Sequence, residues 1–347
     1  MKHSYWIYFS LAVIVSVVLN IGGCFVQKPE QPSNAEDIFP AKPIQVVVGW
    51  GQGGGSDIFA RAITKPVADK FDIPIVVKNM PGVSATLPGD YLVNQPADGY
   101  TIWALTTTYT INNVLDITPY KLDQFIPLAR IQHDTHAIQV SKNGSFTDID
   151  QVVEYAQEHP GQLKIGGSGS PMYHGREGPG FDEVVVTLFE EAAGIDFDYV
   201  PFEDAGEMHN ALLQGDIDLI VEEFGPTINY IKEEQIVPIL AFSDKKVEDF
   251  PGLPISLDKG WDVTLGIWRG LFLKAGTPQD RVKILKEAFE EAYDDPGYKE
   301  TERLRYWNLR SEFLGPREFK DYLEDELQIY ETILTKLGYI NKKTGSL

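Results

Sequence analysis

The sequence contains a single cysteine and far fewer basic than acidic residues. With Cys24 alone among 347 residues, an internal disulfide and a zinc site built from several cysteines are both excluded. Lys and Arg number 30 against 51 Asp and Glu, which gives a formal net charge of −21. We therefore expect no nucleic-acid binding, because the chain has no basic excess with which to displace counterions from phosphates.

The apolar content is high enough for a folded protein of substantial size. Hydrophobic residues make up 43% and aromatic residues 12% of the chain, which separates it from disordered acidic proteins. A length of 347 residues predicts roughly two domains. The net charge alone disfavours an anionic ligand. Exposed acids more than about 8 Å away are largely screened at physiological salt, however, so local N–H donors remain able to bind one.

The N-terminus has the pattern of an export signal followed by a lipidated cysteine. Lys2 precedes an apolar run over residues 7–19, which is too short to span a membrane comfortably. The run is followed by Ile-Gly-Gly before Cys24, which resembles a bacterial lipobox. We predict a lipoprotein signal peptide over residues 1–23, lipidation of Cys24, a flexible tether over residues 24–39, and an extracytoplasmic protein anchored to the cell membrane. The alternative is an uncleaved anchor helix with an incidental cysteine.

From residue 40 onward, predicted strands alternate with predicted helices. The first strand covers Ile44 to Val48 and is followed by a glycine-rich turn and a helix from about Ser56. A second unit of the same kind begins near residue 131, and the chain beyond about residue 278 is helical. This alternation predicts an α/β fold with largely parallel sheets.

The turn after the first strand, here called the first glycine loop (residues 49–57), carries a G-x-G-x-x-G pattern between a strand and a helix. That context is typical of dinucleotide-binding proteins. The second strand, however, is followed by Lys78-Asn79 rather than by the acid that binds a ribose hydroxyl. Backbone N–H groups and the helix N-terminus instead favour an anion such as a carboxylate, with a simple tight turn as the alternative. The candidate ligand-binding residues are Gly53, Gly54, Gly55, Ser56 and Asp57, with Ser56 also a candidate helix cap.

The second glycine loop (residues 166–174) offers similar donors from Ser168, Gly169 and Ser170. Its spacing does not match the G-x-S-x-G of a nucleophile elbow. Two such loops on two units predict a clamp on a small molecule with two polar ends. We therefore expect a binding protein rather than an enzyme, with no cofactor and no metal.

Several short segments, taken in their order along the chain, resemble one family. The matching segments are Pro43–Val48, Gly53–Arg61, Val76–Gly82, Ala97–Ile102, Gly167–Ser170 with His174, Leu213–Asp218, Trp268–Leu271 and Ala275–Pro278. Spread over about residues 40–300, they resemble the Bug-type (TctC-like) extracytoplasmic solute-binding receptors of tripartite tricarboxylate transporters.

The resemblance implies a type II, two-lobed periplasmic-binding-protein-like fold, in which each lobe is a mostly parallel sheet flanked by helices and the ligand cleft lies between the lobes. Lobe 1 would comprise residues 40–130 and 245–347, and lobe 2 residues 131–244. The family implies a monomeric receptor that captures a small carboxylate by lobe closure and delivers it to a two-component membrane permease. On this chain it points to the two glycine loops and to the hydroxyls of Thr106 and Thr107.

Acidic residues near the expected cleft depart from the family pattern. Glu203, Asp204, Glu222 and Glu223 are further candidates for ligand binding, as is the aromatic ring of Trp50. If these acids line the cleft, the ligand should also carry a positive group, as a zwitterion does. The alternative is that they are ordinary solvated acids.

His133 and His136 form a spacing that could indicate a metal pair. Residues i and i+3 of a strand point to opposite faces, however, which favours surface or hinge histidines. The rival functions are an exported enzyme, a nucleotide-binding oxidoreductase that uses the G-x-G-x-x-G turn, and a ligand-sensing receptor. The sequence shows no convergent base, nucleophile or metal site to support the enzymatic ones.

Overall fold

The computed structural model describes residues 38–81, 87–168, 172–173, 176–177, 179–202 and 204–340. Residues 39–347 belong to one compact unit. Cys24, Gly169, Ser170 and Glu203 lie outside the described residues, as does the predicted signal peptide. Within the described ranges, no helix is both long and apolar enough to cross a membrane.

Strands and helices alternate through most of the chain. The strands are β1 (Ile44–Val48), β2 (Ile75–Asn79), β3 (Thr101–Thr106), β4 (Phe125–His133), β5 (His136–Ser141), β6 (Lys164–Ser168), β7 (Met172–Tyr173), β8 (Arg176–Glu177), β9 (Asp198–Phe202), β10 (Leu219–Glu223), β11 (Ile236–Ala241) and β12 (Trp268–Lys274). The helices are α1 (Gly55–Phe71), α2 (Leu87–Val93), α3 (Thr108–Val114), α4 (Ile149–Glu158), α5 (Phe181–Ala193), α6 (Ala205–Gln214), α7 (Phe224–Lys232), α8 (Gln279–Tyr293), α9 (Pro296–Leu304) and α10 (Pro316–Lys336).

Among the described residues the strands form two five-stranded sheets and one short hairpin, β7–β8. The first sheet has the order β2–β1–β3–β12–β4, and the second has the order β11–β5–β10–β6–β9. Only β12 runs against its neighbours in the first sheet, and only β5 does so in the second. The prediction of two mostly parallel sheets flanked by helices is therefore confirmed.

Two helices end at a glycine. Gly194 and Gly215 adopt left-handed conformations with φ of 66° and 80° and end α5 and α6, which is the usual role of glycine after a helix. At the start of α8, Thr277-Pro278 has the sequence pattern of an N-cap followed by proline at the first helical position. That prediction is wrong by one residue, because the helix begins at Gln279 and Pro278 occupies the N-cap position. The hydroxyl of Thr277 instead donates 2.8 Å to a carbonyl of the preceding strand.

Each sheet has its own apolar core. Helices α1 and α8 pack on one face of the first sheet, where the buried side chains include Val46, Phe59, Ile63, Leu128, Leu285 and Phe289. Its other face packs against α10 through a cluster that includes Val47, Trp103, Trp268, Phe272, Phe319 and Leu323. The core of the second sheet includes Ile138, Val152, Ile165, Val185, Phe189 and Leu219. Alternate residues of β1 lie in different clusters, as the two-residue period of a strand requires.

The predicted lobe limits stay a prediction, but some segments can be placed relative to the sheets. Strand β4 belongs to the first sheet as far as His133. The core of the second sheet also contacts side chains from outside residues 131–244. These are Ile111, Val114, Leu115, Trp261, Val263, Leu265, Ile267, Tyr330, Ile333, Leu334 and Ile340.

A short crossover joins the two sheets where strand β4 ends and strand β5 begins. Because β4 ends at His133 and β5 begins at His136, residues 134–135 carry the chain from one sheet to the other. Beside this crossover, Arg269 of β12 lies opposite Thr106 of β3 in the first sheet, and Glu223 of β10 lies opposite His136 of β5 in the second. Strands β1, β3, β6 and β10 end at these edges, so both glycine loops leave their sheets near the crossover, where α/β sheets bind ligands.

Candidate functional site

A buried carboxylate fixes the first glycine loop. The Oδ2 atom of Asp57, in the first turn of α1, accepts the N–H of Gly53 at 2.9 Å. Asn79 Nδ2 donates to Oδ1 at 2.9 Å, and Arg61 forms a salt bridge at 2.9 Å. Burial alone raises the pKa of Asp57, but the hydrogen bonds from Arg61, Gly53 and Asn79 outweigh it and hold the pKa below its usual value. The structure thus gives Asp57 the role of a loop support.

The candidate N–H donors of the first loop lie at the start of helix α1. Helix α1 begins at Gly55 with Gly54 as its N-cap, so the prediction that Ser56 caps the helix is wrong. The first helical hydrogen bond runs from Ile58 N to Gly54 O at 3.0 Å. The N–H groups of residues 55–57 precede that bond and lie at the positive end of a 17-residue helix. They are the candidate anion donors of this loop, whereas the N–H of Gly53 already has Asp57 as its partner.

The second glycine loop repeats this arrangement on the other sheet. Asp182, in the first turn of α5, accepts the N–H of Ser168 at 2.7 Å and its hydroxyl at 2.6 Å. The Tyr199 hydroxyl donates to the Ser168 carbonyl at 2.8 Å. The first helical hydrogen bond of α5 runs from Val184 N to Gly180 O, so the N–H of Phe181 precedes it. Both loops therefore combine a helix N-terminus with an aspartate that accepts the loop's own N–H.

A histidine supports Asp182 from the neighbouring strand. His136 Nε2 lies 3.1 Å from Asp182 Oδ1, and both side chains are buried. Burial alone lowers the pKa of His136, but the hydrogen bond and charge of Asp182 outweigh it and raise the pKa. His136 is thus a buried support of the second loop. Among the described residues, no group of three or more His, Cys, Asp or Glu side chains is placed to hold a metal ion.

Two of the candidate acids are internally paired. Glu223 is 4% exposed, and both of its carboxylate oxygens lie 3.1 Å from Arg269 Nη2. Glu222 Oε2 lies 3.6 Å from His209 Nε2, and burial raises the pKa of Glu222 although His209 opposes the shift. The interpretation of this pair as ordinary solvated acids is therefore wrong. Asp204 differs, because it is exposed and its Oδ1 caps α6 by accepting the N–H of Glu207 at 3.0 Å.

The remaining candidates lie beside the first loop. Thr107 is fully buried, and its hydroxyl accepts the N–H of Trp268 at 3.0 Å. The Thr106 hydroxyl contacts that of Thr108 at 3.3 Å. Trp50 is 39% exposed and is held through its carbonyl by Asn79 Nδ2 at 3.0 Å, which leaves its ring accessible. Trp50 therefore remains a candidate for stacking on a ligand.

Sequence reasoning missed several residues that organise the site. These are Asn79, Asp134, His136 in its supporting role, Asp182, Tyr199, His209 and Arg269. The position of Asp182 carried a usable signal, because an aspartate follows each glycine-rich turn within the first turn of the next helix. Arg269 carried no such signal, since its partners Asp134 and Glu223 are distant in sequence.

Removing Asp57 should loosen the first loop. We expect Asp57→Ala to lower the free energy of unfolding by about 1–3 kcal/mol, because the Gly53 N–H and the Arg61 guanidinium lose their acceptor. Asp69→Ala on the same helix is the matched control, since Asp69 forms only an exposed pair with Lys65 at 2.7 Å and should cost less than about 0.5 kcal/mol. Urea unfolding of both variants measures the difference. Equal losses for the two variants would show that Asp57 does not support the loop.

The two sheets, the short crossover and the paired glycine loops together define a two-lobed periplasmic solute-binding fold. Solved structures of such proteins share it. MatC from Rhodopseudomonas palustris with bound malate has a TM-score of 0.71 at 22% identity, and the alignment covers 85% of this chain and 100% of that one. A second R. palustris protein, solved with adipate, has a TM-score of 0.74 at 21% identity, with coverage of 87% and 99%.

The family follows from the sequence match. The chain belongs to the TctC family, the tripartite tricarboxylate transporter family receptors, whose model matches residues 59–338. A UPF0065 protein encoded in the gbd 5′ region of Cupriavidus necator is 25% identical over 88% of this chain and 91% of its own length. Protein BugT of Bordetella pertussis is 20% identical over 87% of this chain and 91% of its own length. The family predicted by the sequence is therefore confirmed.

Proposed function

We propose that this chain is an extracytoplasmic receptor that captures a small carboxylate-containing solute between its two lobes and delivers it to the two-component permease of a tripartite tricarboxylate transporter. The observation that carries the proposal is the pair of helix N-termini, α1 and α5, each following a glycine loop at the edge that the crossover joins. Family membership supports the receptor role. The malate and adipate in two proteins of the same fold support the ligand class.

The physical basis is the partial positive charge of the helix N-termini. The N–H groups of Gly55 and Ser56 would donate to one carboxylate, while the start of α5 and the Ser168 region would serve the other end of the solute. Because the aspartates at 57 and 182 hold the loops from behind, few loop motions need to be arrested when the ligand binds. Hinge motion at residues 134–135 would close the lobes on the ligand.

A thermal-shift screen tests the ligand class. We expect one or more mono-, di- or tricarboxylates to raise the melting temperature, and a ligand at 100 times its dissociation constant to add about 2.7 kcal/mol to the free energy of unfolding. Aromatic acids, amino acids and NAD complete the panel. A shift with NAD alone, and with no carboxylate, would favour the nucleotide-binding rival and sink the receptor proposal.

Lipid attachment at Cys24 would hold the receptor at the cell membrane. We expect Cys24→Ser to move the protein from the membrane fraction to the soluble fraction of the expressing bacterium, because the variant lacks the sulfur that carries the lipid. The unmodified chain, expressed in parallel, is the control. If the variant stays with the membrane as fully as the parent, an uncleaved anchor helix is the better interpretation of residues 1–23.

A further inference from the structure

Arg269 contacts three parts of the molecule at once. It lies on β12 of the first sheet and is 6% exposed. Its Nη2 reaches both oxygens of Glu223, the last residue of β10 in the second sheet, at 3.1 Å, and its Nη1 contacts Asp134 in the crossover. Asp134 is 2% exposed. The three side chains, here called the interlobe triad, therefore connect the first sheet, the crossover and the second sheet inside the protein.

The triad also touches the first glycine loop. A Cβ atom added to Gly55 would lie 2.6 Å from Arg269 Nη2, so the guanidinium rests directly against the first residue of α1. A positive charge gains nothing from the positive end of a helix. The guanidinium is therefore held in this position by the two carboxylates. Its distance to Glu223 consequently fixes the start of α1 relative to the second sheet.

Residues 242–267, between β11 and β12, return the chain from the second sheet to the first. This second crossover meets the first one beside Asp134. The N–H of Asp134 donates to the carbonyl of Ile267 at 2.7 Å, one residue before β12 begins. A Cβ atom on Gly266 would overlap the Asp134 carbonyl, so the two crossover segments are in tight contact. The triad thus lies where the two chain segments that connect the sheets meet, so it is placed to influence the position of one sheet relative to the other.

The hydrogen bonding of the triad is incomplete. Arg269 Nε and Asp134 Oδ1 are buried with no hydrogen-bond partner in the described part of the chain. A buried ion network of this kind contributes little net stability compared with apolar side chains of similar size. The buried network is therefore better explained by a role in fixing the positions of the two sheets than by a role in stability.

We propose that Arg269 is a positioning residue for ligand binding. Through its ion pair with Glu223, it sets the separation of the two glycine loops and keeps the lobes close to the arrangement that binds the ligand. The ligand part of this inference rests on the proposed receptor function, whereas the positioning part concerns the lobes alone. The triad is distinct from the helix N-termini that would contact the solute.

The interlobe distance is the direct readout. Spin labels are placed at Lys283→Cys on α8, beside the first sheet, and at Glu154→Cys on α4, beside the second, both exposed. A Cys24→Ser background leaves no other cysteine in the chain. We expect a narrow distance distribution in the ligand-free parent. Arg269→Leu combined with Glu223→Leu removes the ion pair that joins the two sheets, while Asp134 keeps its hydrogen bond from Gln132, and this double variant should give a broader distribution.

A second variant covers the case in which the double variant does not fold. Arg269→Lys keeps the charge but loses the planar fork that serves Glu223 and Asp134 together, so it should also broaden the distribution. The matched control is Arg130→Lys. Arg130 is an equally buried arginine of the first sheet, and its ion pair at 3.5 Å is with Glu312. Arg130→Lys should leave the interlobe distance distribution unchanged.

Ligand affinity provides the second readout. If the binding-competent arrangement falls to about a tenth of the population, the apparent affinity for the strongest carboxylate of the thermal-shift screen falls about tenfold. Parent-like distance distributions in Arg269→Lys and in the folded double variant would overturn the proposal. If no carboxylate binds the parent, the receptor proposal fails, while the ligand-free distances still decide the role of Arg269.

Discussion

Replacing Glu326 by glutamine is expected to remove a large pH dependence of stability. Glu326 is buried in α10, where its Oε2 accepts the Trp268 indole N–H at 2.7 Å and the Thr110 hydroxyl at 2.6 Å. The Tyr322 hydroxyl lies 3.0 Å from its Oε1. Burial raises the pKa of Glu326 to about 7, although these three hydrogen bonds oppose the shift.

The sign of the effect follows from this raised pKa. The native carboxyl binds its proton more tightly than the unfolded one, whose ordinary pKa is 4.5. Its contribution to stability is therefore fully present below pH about 4.5 and is lost as the pH rises through about 7, with a total of about 3 kcal/mol. Glutamine stays neutral throughout. Its oxygen can accept from Trp268 and Thr110, and its amide can donate to the Tyr322 hydroxyl.

Urea unfolding at two pH values measures the difference. Glu326→Gln should match the parent at pH 4.5 and exceed its free energy of unfolding by about 3 kcal/mol at pH 8. Glu331→Gln, an exposed position on the same helix, is the control and should follow the parent at both values. A stability difference between Glu326→Gln and the parent that is the same at pH 4.5 and pH 8 would show that Glu326 does not titrate as described.

A single methyl group at Gly167 should disrupt the second glycine loop. A Cβ atom there would lie 2.5 Å from the Tyr199 hydroxyl and 2.9 Å from the Asp182 Cβ. To make room, Tyr199 or Asp182 must move, and each of them holds Ser168. We expect Gly167→Ala to lower the free energy of unfolding by about 1–3 kcal/mol through overpacking. Ligand affinity should fall about tenfold, the equivalent of about 1.4 kcal/mol.

Gly252→Ala separates this local effect from a general effect of removing a glycine. A Cβ atom on Gly252 would meet nothing within 4 Å, and its position is exposed. Unfolding and calorimetric titration of both variants with the same carboxylate give the comparison. Parent-like affinity in Gly167→Ala would mean that the second loop takes no part in binding.

The sequence predicts well those elements whose apolar pattern is unbroken. Four of the five residues of strand β1 are apolar and buried, and α1 places Phe59, Ile63 and Val67 on one buried face. Strands β4 and β12 were not predicted as strands. Their apolar periods are interrupted by Arg130, Gln132 and Arg269, which are buried in the structure. A periodicity argument treats a charged residue as exposed, so it fails where buried charges pair with one another.

The candidate site, like the fold, was predicted from the sequence only in part. The glycine loops were found from composition and from their place between strand and helix. The first occupies that place in the structure, whereas residues 166–168 of the second belong to β6 and the hairpin β7–β8 precedes α5. The sequence does not reveal the role of each residue within the loops. Asp57 has the residue type of a ligand group, yet its oxygens are taken by Gly53, Asn79 and Arg61. Which way a side chain turns depends on partners brought near by folding, as with Arg269 and Glu223, separated by 46 residues.

The partners of the candidate acids bear on whether the ligand must carry a positive group. Glu223 already has a cationic partner within the protein, so it does not require a positive group on the ligand. Glu222 contacts His209, and Asp204 caps a helix. A solute whose charge comes from carboxylates alone is therefore compatible with each of the three acids that lie among the described residues.

The most direct test of the proposed recognition is a calorimetric titration of the purified receptor with a dicarboxylate and with its dimethyl ester. Adipate and malate are suitable first acids. We expect the favoured acid to bind saturably with one site per chain, and the ester to bind at least about 100-fold more weakly, because the helix N-termini lose a charged acceptor at each end of the solute. Equal affinity for acid and ester, or no binding of any dicarboxylate, would contradict recognition by the helix N-termini.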